Sequence, residues 1–438
     1  MQYDLNDLLI KPSSNEEEKY CKKYNIHIRR LENGATILGI PCKKDFTSWA
    51  QIKYEFLEGA YGNKPGSVHL LEHFINKKTK RTANENSLNI GAYTNLTEIG
   101  EEVSGIANPA ALDYGVWTIL DQIRKSLESP LINVDNIEKT LETERDVIKA
   151  EIQKRDSDQN FQISKHFNHV VFSKENPLHD VSLITGTEKD LNKLSSDMLK
   201  DIERRILIAK NLLISFYTEG DLSIADVIEK ELENSFSDFP TDEKEGLNRR
   251  LLEKINPNLL PGSTYSQDSG IKNGIITTEF VWTLNHKFPS DKHLGLLLLY
   301  KIIATELFLY SRKMGWGYFT DTILTRPTNN LVLLRLRIDA RKDNQKELLK
   351  GIKEVLLSIK KVSQSVVENE KKRQKAIPIN AVARLSWIVN GIKDYGAMID
   401  ADKVRDNKLG VTPQILNELV DELISIPPTI IVTGDINY

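Results

Sequence analysis

The segment GSVHLLEHFINKK, residues 66 to 78, sets His69 and His73 four residues apart with Glu72 beside the second. On an α-helix, side chains at i and i+4 lie one turn apart on the same face, so both imidazoles can aim a nitrogen at one ion. A catalytic zinc takes three protein ligands and keeps its fourth position open, so a further carboxylate is needed. The segment DNIEKTLETERDVIKAEIQKR, residues 135 to 155, offers two. Its residues Ile137, Leu141, Val147, Ile148 and Ile152 recur at helical spacing and predict a helix with one buried face. At about 100° per residue, Glu144 and Glu151 fall inside that stripe. Burying an unpaired carboxylate costs several kcal/mol, so both call for a cation or hydrogen-bond donors in the interior. A metal with its imidazole shell would supply them, and so would salt bridges to basic residues on neighbouring elements.

Helices that carry such groups need a frame, and the rest of the chain predicts one. With 438 residues the sequence exceeds a single compact core and suits two domains. Strand-like runs (HIRRLENGATILGI, WAQIKYEFLEG, IITTEFVWTLN, NLVLLRLRIDA) alternate with long helical stretches in both halves. Adjacent strands joined by polar turns predict an α+β architecture, a mostly antiparallel sheet covered by helices in each half. The run NLLISFYTEGD reaches a Gly220-Asp221 turn, and the last residues, PPTIIVTGDINY, reach Gly434-Asp435 about half a chain later, as a duplicated domain would. Residues 241–270 are polar, broken by Pro257 and Pro261, and read as a linker between domains at 1–240 and 271–438. In the second half, FPSDKHLGLLLLYKIIATELF occupies the place of the metal helix but carries leucines there, so His293 is expected to sit at the helix start rather than to bind metal, and one site per chain is expected.

Composition narrows the function classes. The chain is 40% hydrophobic and 28% charged with a formal net charge of -3, which gives no basic face for nucleic acid. No run of 18 apolar residues occurs and the N-terminus lacks a signal-like pattern, so neither a membrane span nor export is expected, and a cytoplasmic location follows by default. Cys21 and Cys42 are too few for a disulfide framework.

HLLEH, followed far downstream by the glutamate of ETERDVIKAE, resembles the inverted zinc-metallopeptidase motif of the pitrilysin, insulinase and mitochondrial processing peptidase family. FLEGAYGNKPGSVHLLEH resembles that family's approach to its catalytic helix, GAYTNLTE (91 to 98) its substrate-accepting edge strand, and the endings at 212–220 and 429–434 the closing strands of its two homologous domains. The resemblance covers nearly the whole chain and implies two such domains facing each other in a clamshell. It implies one Zn2+ per chain on His69, His73 and Glu151, Glu72 as general base, and Glu144 orienting the ligands. It further implies that Asn95 contacts substrate backbone and, from LYSRKMGWGYFT, that Arg312 and Tyr318 reach the substrate from the second half. Val68 before the first histidine, INKKTK after the motif, Leu96 after the asparagine, and an Arg312-to-Tyr318 spacing one residue short depart from the family pattern. The activity implied is a zinc endopeptidase for short or unfolded peptides, such as a peptide precursor, working as a homodimer or as a heterodimer with a related subunit. The rivals are a non-catalytic scaffold subunit of the same fold, disfavoured by Glu72, and a zinc-stabilised binding module, disfavoured by a three-ligand set without cysteine.

Overall fold

A computed structural model describes residues 5–44, 48–107, 115–128, 131, 137–176, 178–180, 182–241, 257, 259–270, 273–315, 317–328, 330–341, 345–360 and 364–436. The first half opens with α1 (Leu5–Leu8), β1 (Leu9–Ile10), α2 (Asn15–Tyr24), β2 (His27–Arg30), β3 (Thr36–Lys43) and β4 (Trp49–Phe56). Next come α3 (Ser67–Glu85), β5 (Asn89–Thr94), β6 (Ile99–Ile106), α4 (Val116–Glu128), α5 (Ile137–Asp156) and α6 (Gln159–Val171). The short α7 (Ser182–Thr185) and α8 (Glu188–Leu191), then α9 (Ser196–Ile206), β7 (Leu212–Gly220) and α10 (Ser223–Phe236), complete it. The second half contains β8 (Thr264–Asp268), β9 (Ile275–Leu284), α11 (Asp291–Met314), β10 (Gly317–Thr328), β11 (Leu331–Arg341) and α12 (Gln345–Lys360). It ends with α13 (Gln364–Ala376), α14 (Ala381–Tyr395), β12 (Met398–Ile399), α15 (Ala401–Gly410), α16 (Pro413–Ser425) and β13 (Thr429–Gly434).

The first sheet has the order β2-β3-β7-β4-β6-β5 and the second β10-β11-β9-β13-β8. Each is antiparallel apart from one parallel pair, β3 with β7 and β8 with β13. Superimposing the orders matches β3, β7, β4, β6 and β5 with β8, β13, β9, β11 and β10, and puts α11 in the topological place of α3. The closing strands β7 and β13 both end on a glycine with positive φ, Gly220 (118°) and Gly434 (151°). The fold is α+β with two homologous halves. The linker reading of 241–270 needs correction at its end: Thr264–Asp268 is a strand of the second sheet, a short polar run that β13 organises by parallel pairing.

Alternation along the strands decides which helices cover which face. Ile37, Ile52, Tyr54, Ile214 and Phe216 face a core built with α3, α4 and α10. Their neighbours Leu38, Ile40 and Leu213 face the other way, onto Ile388, Val389 and Ile392 of α14 from the second half. The second sheet does the same: Phe280, Trp282, Leu334 and Leu336 pack on α11, α12 and α16, and Val281, Leu333 and Ile431 pack on Phe167 and Val171 of α6 from the first half. The halves therefore exchange helices. The N-terminal segment joins this exchange, since β1 pairs with β12. Each fully buried Leu, Ile or Phe in these layers contributes about 1.5–3 kcal/mol of transfer free energy.

Among the described residues, α11 is the one helix long and apolar enough to cross a membrane by length and composition. Here it is the central helix of the second core, with Leu294, Leu298, Leu299, Ile303 and Leu307 buried. Ser290 caps it by accepting from the His293 amide. His293 lies buried in its first turn, with Nδ1 3.2 Å from the His286 carbonyl oxygen.

Candidate metal centre

The approach to α3 is set by two glycines. Gly66 has φ +78°, and a Cβ there would lie 2.7 Å from the Thr185 carbonyl oxygen, so only glycine lets α7 pack against the start of the helix. A Cβ on Gly59 would lie 2.4 Å from the Glu98 nitrogen, which explains a glycine where the loop before α3 crosses the β5–β6 turn. Ala60 and Tyr61 donate their amides to the carbonyls of Asn95 and Leu96 across that crossing, both at 2.9 Å.

Along α3, Val68, Leu70, Leu71, Phe74 and Ile75 are buried in the first core. The row left over at i and i+4, His69 and His73, faces α5, with ring centroids 4.8 Å apart and planes at 86°. Glu151 Oε2 lies 3.6 Å from His69 Nε2 and 3.5 Å from His73 Nε2. The three donor atoms lie within 4.8 Å of one another. Ligands about 2.0–2.2 Å from a tetrahedral zinc are about 3.3–3.5 Å from each other, so the two Glu151–imidazole distances suit that ion. Two neutral imidazoles and one carboxylate, with no cysteine, are the donor chemistry of an open zinc site rather than a closed structural one.

On α5 the buried row is Leu141, Glu144, Ile148 and Ile152. The stripe predicted from the sequence was too wide. Val147 is exposed and the Glu151 side chain is 47% exposed, because both lie one step round the helix from the buried row. Glu151 thus stands at the mouth of the site, whereas Glu144 lies beneath it. Glu144 Oε2 is 3.2 Å from His73 Nδ1, and Glu144 Oε1 accepts from Lys77 Nζ at 2.8 Å. A carboxylate can only accept, so His73 donates from Nδ1 and turns the lone pair of Nε2 toward Glu151. Among the described residues His69 Nδ1 is buried without a hydrogen-bond partner. Burial, with the charges of His73 and Arg155 adding to it, pulls the His69 imidazole down to about 4, which keeps it neutral and able to ligate.

Glu72 is 7% exposed and sits between the histidines on the same helix. Thr94, the last residue of β5, donates to Glu72 Oε2 at 2.6 Å. Burial pushes the Glu72 carboxyl above its ordinary value and the Glu151 charge assists, while the Thr94 bond and His73 oppose. The carboxylate is thereby held in one orientation and made more basic, as a group that takes and returns a proton near neutral pH must be.

The sequence-predicted substrate contacts fare differently. β5 is an edge strand of its sheet, as expected for 91–98. Asn95 lies in the turn that follows: its Oδ1 accepts from the amides of Thr97 (2.9 Å) and Glu98 (2.8 Å), and its Nδ2 donates to Glu98 Oε1 at 2.9 Å. Its side chain holds the turn, and the strand beside it presents backbone. Arg312 is exposed in the last turn of α11, its guanidinium over the Phe308 ring, 5.2 Å from the centroid. The Tyr318 side chain lies outside the described residues; its backbone belongs to β10.

Three contributors escaped the sequence reading. Lys77 follows His73 at i+4, so helical spacing could have singled it out as a partner for a buried carboxylate. Thr94 reaches Glu72 through sheet packing, for which the sequence carries no signal. Arg155, at i+4 from Glu151, stacks on Phe161 at 4.4 Å and donates to Thr185 Oγ1, tying the end of α5 to the α7 segment that also meets Gly66.

No family model and no curated relative matches the sequence. Solved structures do match the fold. A protease from Helicobacter pylori aligns with a TM-score of 0.72 at 15% identity, over 93% of this chain and 99% of its own. A peptidase M16 inactive domain from Pseudomonas fluorescens aligns with a TM-score of 0.74 at 14% identity, over 94% and 98%. The first half of the periplasmic protease PqqL from Escherichia coli aligns with a TM-score of 0.71 at 14% identity, over 94% and 92%. The chain has the pitrilysin-like fold of the M16 peptidases.

Proposed function

We propose that the chain is a zinc-dependent endopeptidase acting on short or unfolded peptides. The convergence of His69, His73 and Glu151 from two helices beside a buried, hydrogen-bonded Glu72 carries this reading. A zinc ion held by those three side chains would supply a bound water with its pKa lowered to about 7 and a Lewis acid for the scissile carbonyl. Glu72, oriented through Oε2 by Thr94, takes the proton of the attacking water and delivers it to the leaving amine. Glu144 and Lys77 keep His73 in the tautomer that ligates. Among the described residues no strand pairs with the outer edge of β5, so an extended peptide can add there as one more strand and main chain is read more than side chains.

The rival reading, a non-catalytic subunit, draws support from the likeness to an inactive M16 domain. Against it stands the complete set of three metal donors plus base, since a chamber wall has no use for Glu72. A pairing with a second copy or a related subunit fits the size relation to PqqL, of which this chain matches 45% of the full length but 92% of the first half. The test is digestion of a quenched peptide library by the purified chain with and without a chelator. Chelator-sensitive, zinc-restored cleavage is expected; a metal-loaded chain that cleaves no peptide, alone or with a related subunit, would overturn the proposal.

A further inference from the structure

On the face of the first sheet opposite the metal helix lies a buried charge cluster that the proposed reaction does not use. Lys393, on α14 of the second half, places Nζ 2.6 Å from Glu55 Oε1 on β4 and 2.6 Å from Glu98 Oε2 in the β5–β6 turn. Lys53 Nζ approaches the same Glu55 oxygen at 2.8 Å, and Tyr93 of β5 donates its hydroxyl to it at 2.5 Å. Glu55 is fully buried, and the side chains of Lys393 and Glu98 are 17% and 14% exposed. Burial pushes against the charged forms, yet the opposite charges win: the Glu55 carboxyl is held below its ordinary value and the Lys393 ammonium above it.

A buried ion pair is a poor way to gain stability, because desolvation offsets most of the attraction and an apolar replacement often does as well. What such a cluster does supply is a fixed geometry. Tyr93 and Thr94 are consecutive in β5 and point to opposite faces, one into this cluster and the other onto Glu72. Glu98 meanwhile receives Lys393 on one oxygen and Asn95 on the other. The Asn95 and Leu96 carbonyls in turn hold the loop that leads into α3. One ammonium from the second half thus holds the Asn95–Glu98 turn directly, through Glu98, and the end of β5 indirectly, through Glu55 and Tyr93.

We propose that Lys393 is a positioning residue: it locks β5 and the Asn95–Glu98 turn to the second half, so that the peptide-binding edge and the Thr94–Glu72 contact are set only when the two halves are docked. The effect on turnover rests on the peptidase reading; the effect on β5 does not. The test compares full-length, zinc-loaded wild type with Lys393→Met and with Lys393→Met/Glu55→Gln, the double variant avoiding a stranded buried carboxylate if the single one fails to fold. Hydrogen exchange, zinc content and peptide kinetics are measured on each. Exchange at residues 89–98 is expected to rise about tenfold while α3 and the second core stay protected and zinc content is unchanged. With an active wild type, KM is expected to rise about tenfold with a smaller fall in kcat, since peptide docking on β5 suffers first. Unchanged exchange at 89–98, or a rise spread evenly over both halves, would overturn the proposal. If wild type cleaves nothing, the peptidase reading fails and the exchange pattern still decides the role of Lys393.

Discussion

Glu144→Gln keeps the shape of the side chain and removes one negative charge from beneath the histidine pair. Two donors converge on this carboxylate, His73 Nδ1 on Oε2 and Lys77 Nζ on Oε1. An amide has one accepting and one donating end, so in either orientation one of those donors meets an NH2 group. The Lys77 side chain is half exposed, so water screens its ion pair and losing it costs no more than about 1 kcal/mol of fold stability. The imidazole contact weighs more on the metal: removing a carboxylate that fixes the tautomer and basicity of a ligating histidine lowers metal affinity about 10–100-fold, or about 1.4–2.8 kcal/mol. Zinc affinity should therefore fall by more than the stability of the metal-free chain. Competition with a chelator of known affinity measures the first, and urea unfolding of the metal-free protein the second. Zinc affinity within threefold of wild type, or a loss of metal-free stability as large as the loss of affinity, would refute this reasoning.

Thr94→Val removes the hydroxyl that orients Glu72 with little change of shape; zinc content should stay at the wild-type level while kcat falls about tenfold, as the loss of a hydrogen bond to a charged group predicts. Steady-state kinetics with elemental analysis checks this, and an unchanged kcat would count against the role given to Thr94. Glu101, buried under α3 with the Thr79 hydroxyl as partner, is pushed up to about 7 by burial, with the Thr79 bond opposing and the Glu72 charge assisting. A raised carboxyl contributes stability fully below its ordinary value of 4.5 and loses it as the pH rises through about 7. Between those values wild type should lose on the order of 3 kcal/mol relative to Glu101→Gln, read from urea unfolding of both at pH 4.5 and pH 8; parallel pH dependences would contradict this.

What the sequence disclosed and what it hid divide along the range of the interactions. The pairing of His69 with His73 follows from helix periodicity alone, and Glu144 inside the buried row points to α5 as the second wall, whereas Glu151 as the third donor rested on the resemblance to the family motif. The width of that stripe was overestimated: Val147 is exposed, and Glu151 stands at the rim. The duplication was visible in the matching Gly220-Asp221 and Gly434-Asp435 endings, since a strand that closes a sheet and turns sharply constrains its last residues. By contrast, β8 was hidden in a polar connector, because TYSQD becomes a strand through its pairing with β13 and not through its own pattern. The grip of Thr94 on Glu72 and of Lys393 on Glu55 was equally hidden, since strand register and helix exchange between halves bring these residues together.

The claim at the centre of this account is that Glu72 moves the proton in a reaction prepared by His69, His73 and Glu151. Glu72→Gln preserves size and can still accept from Thr94, but it cannot take a proton. The decisive measurement is cleavage of one quenched peptide by wild type and Glu72→Gln at equal, verified zinc occupancy. A fall of at least about a hundredfold in kcat at unchanged zinc content is predicted, the scale expected for loss of a general base. Equal turnover by the two proteins would contradict it.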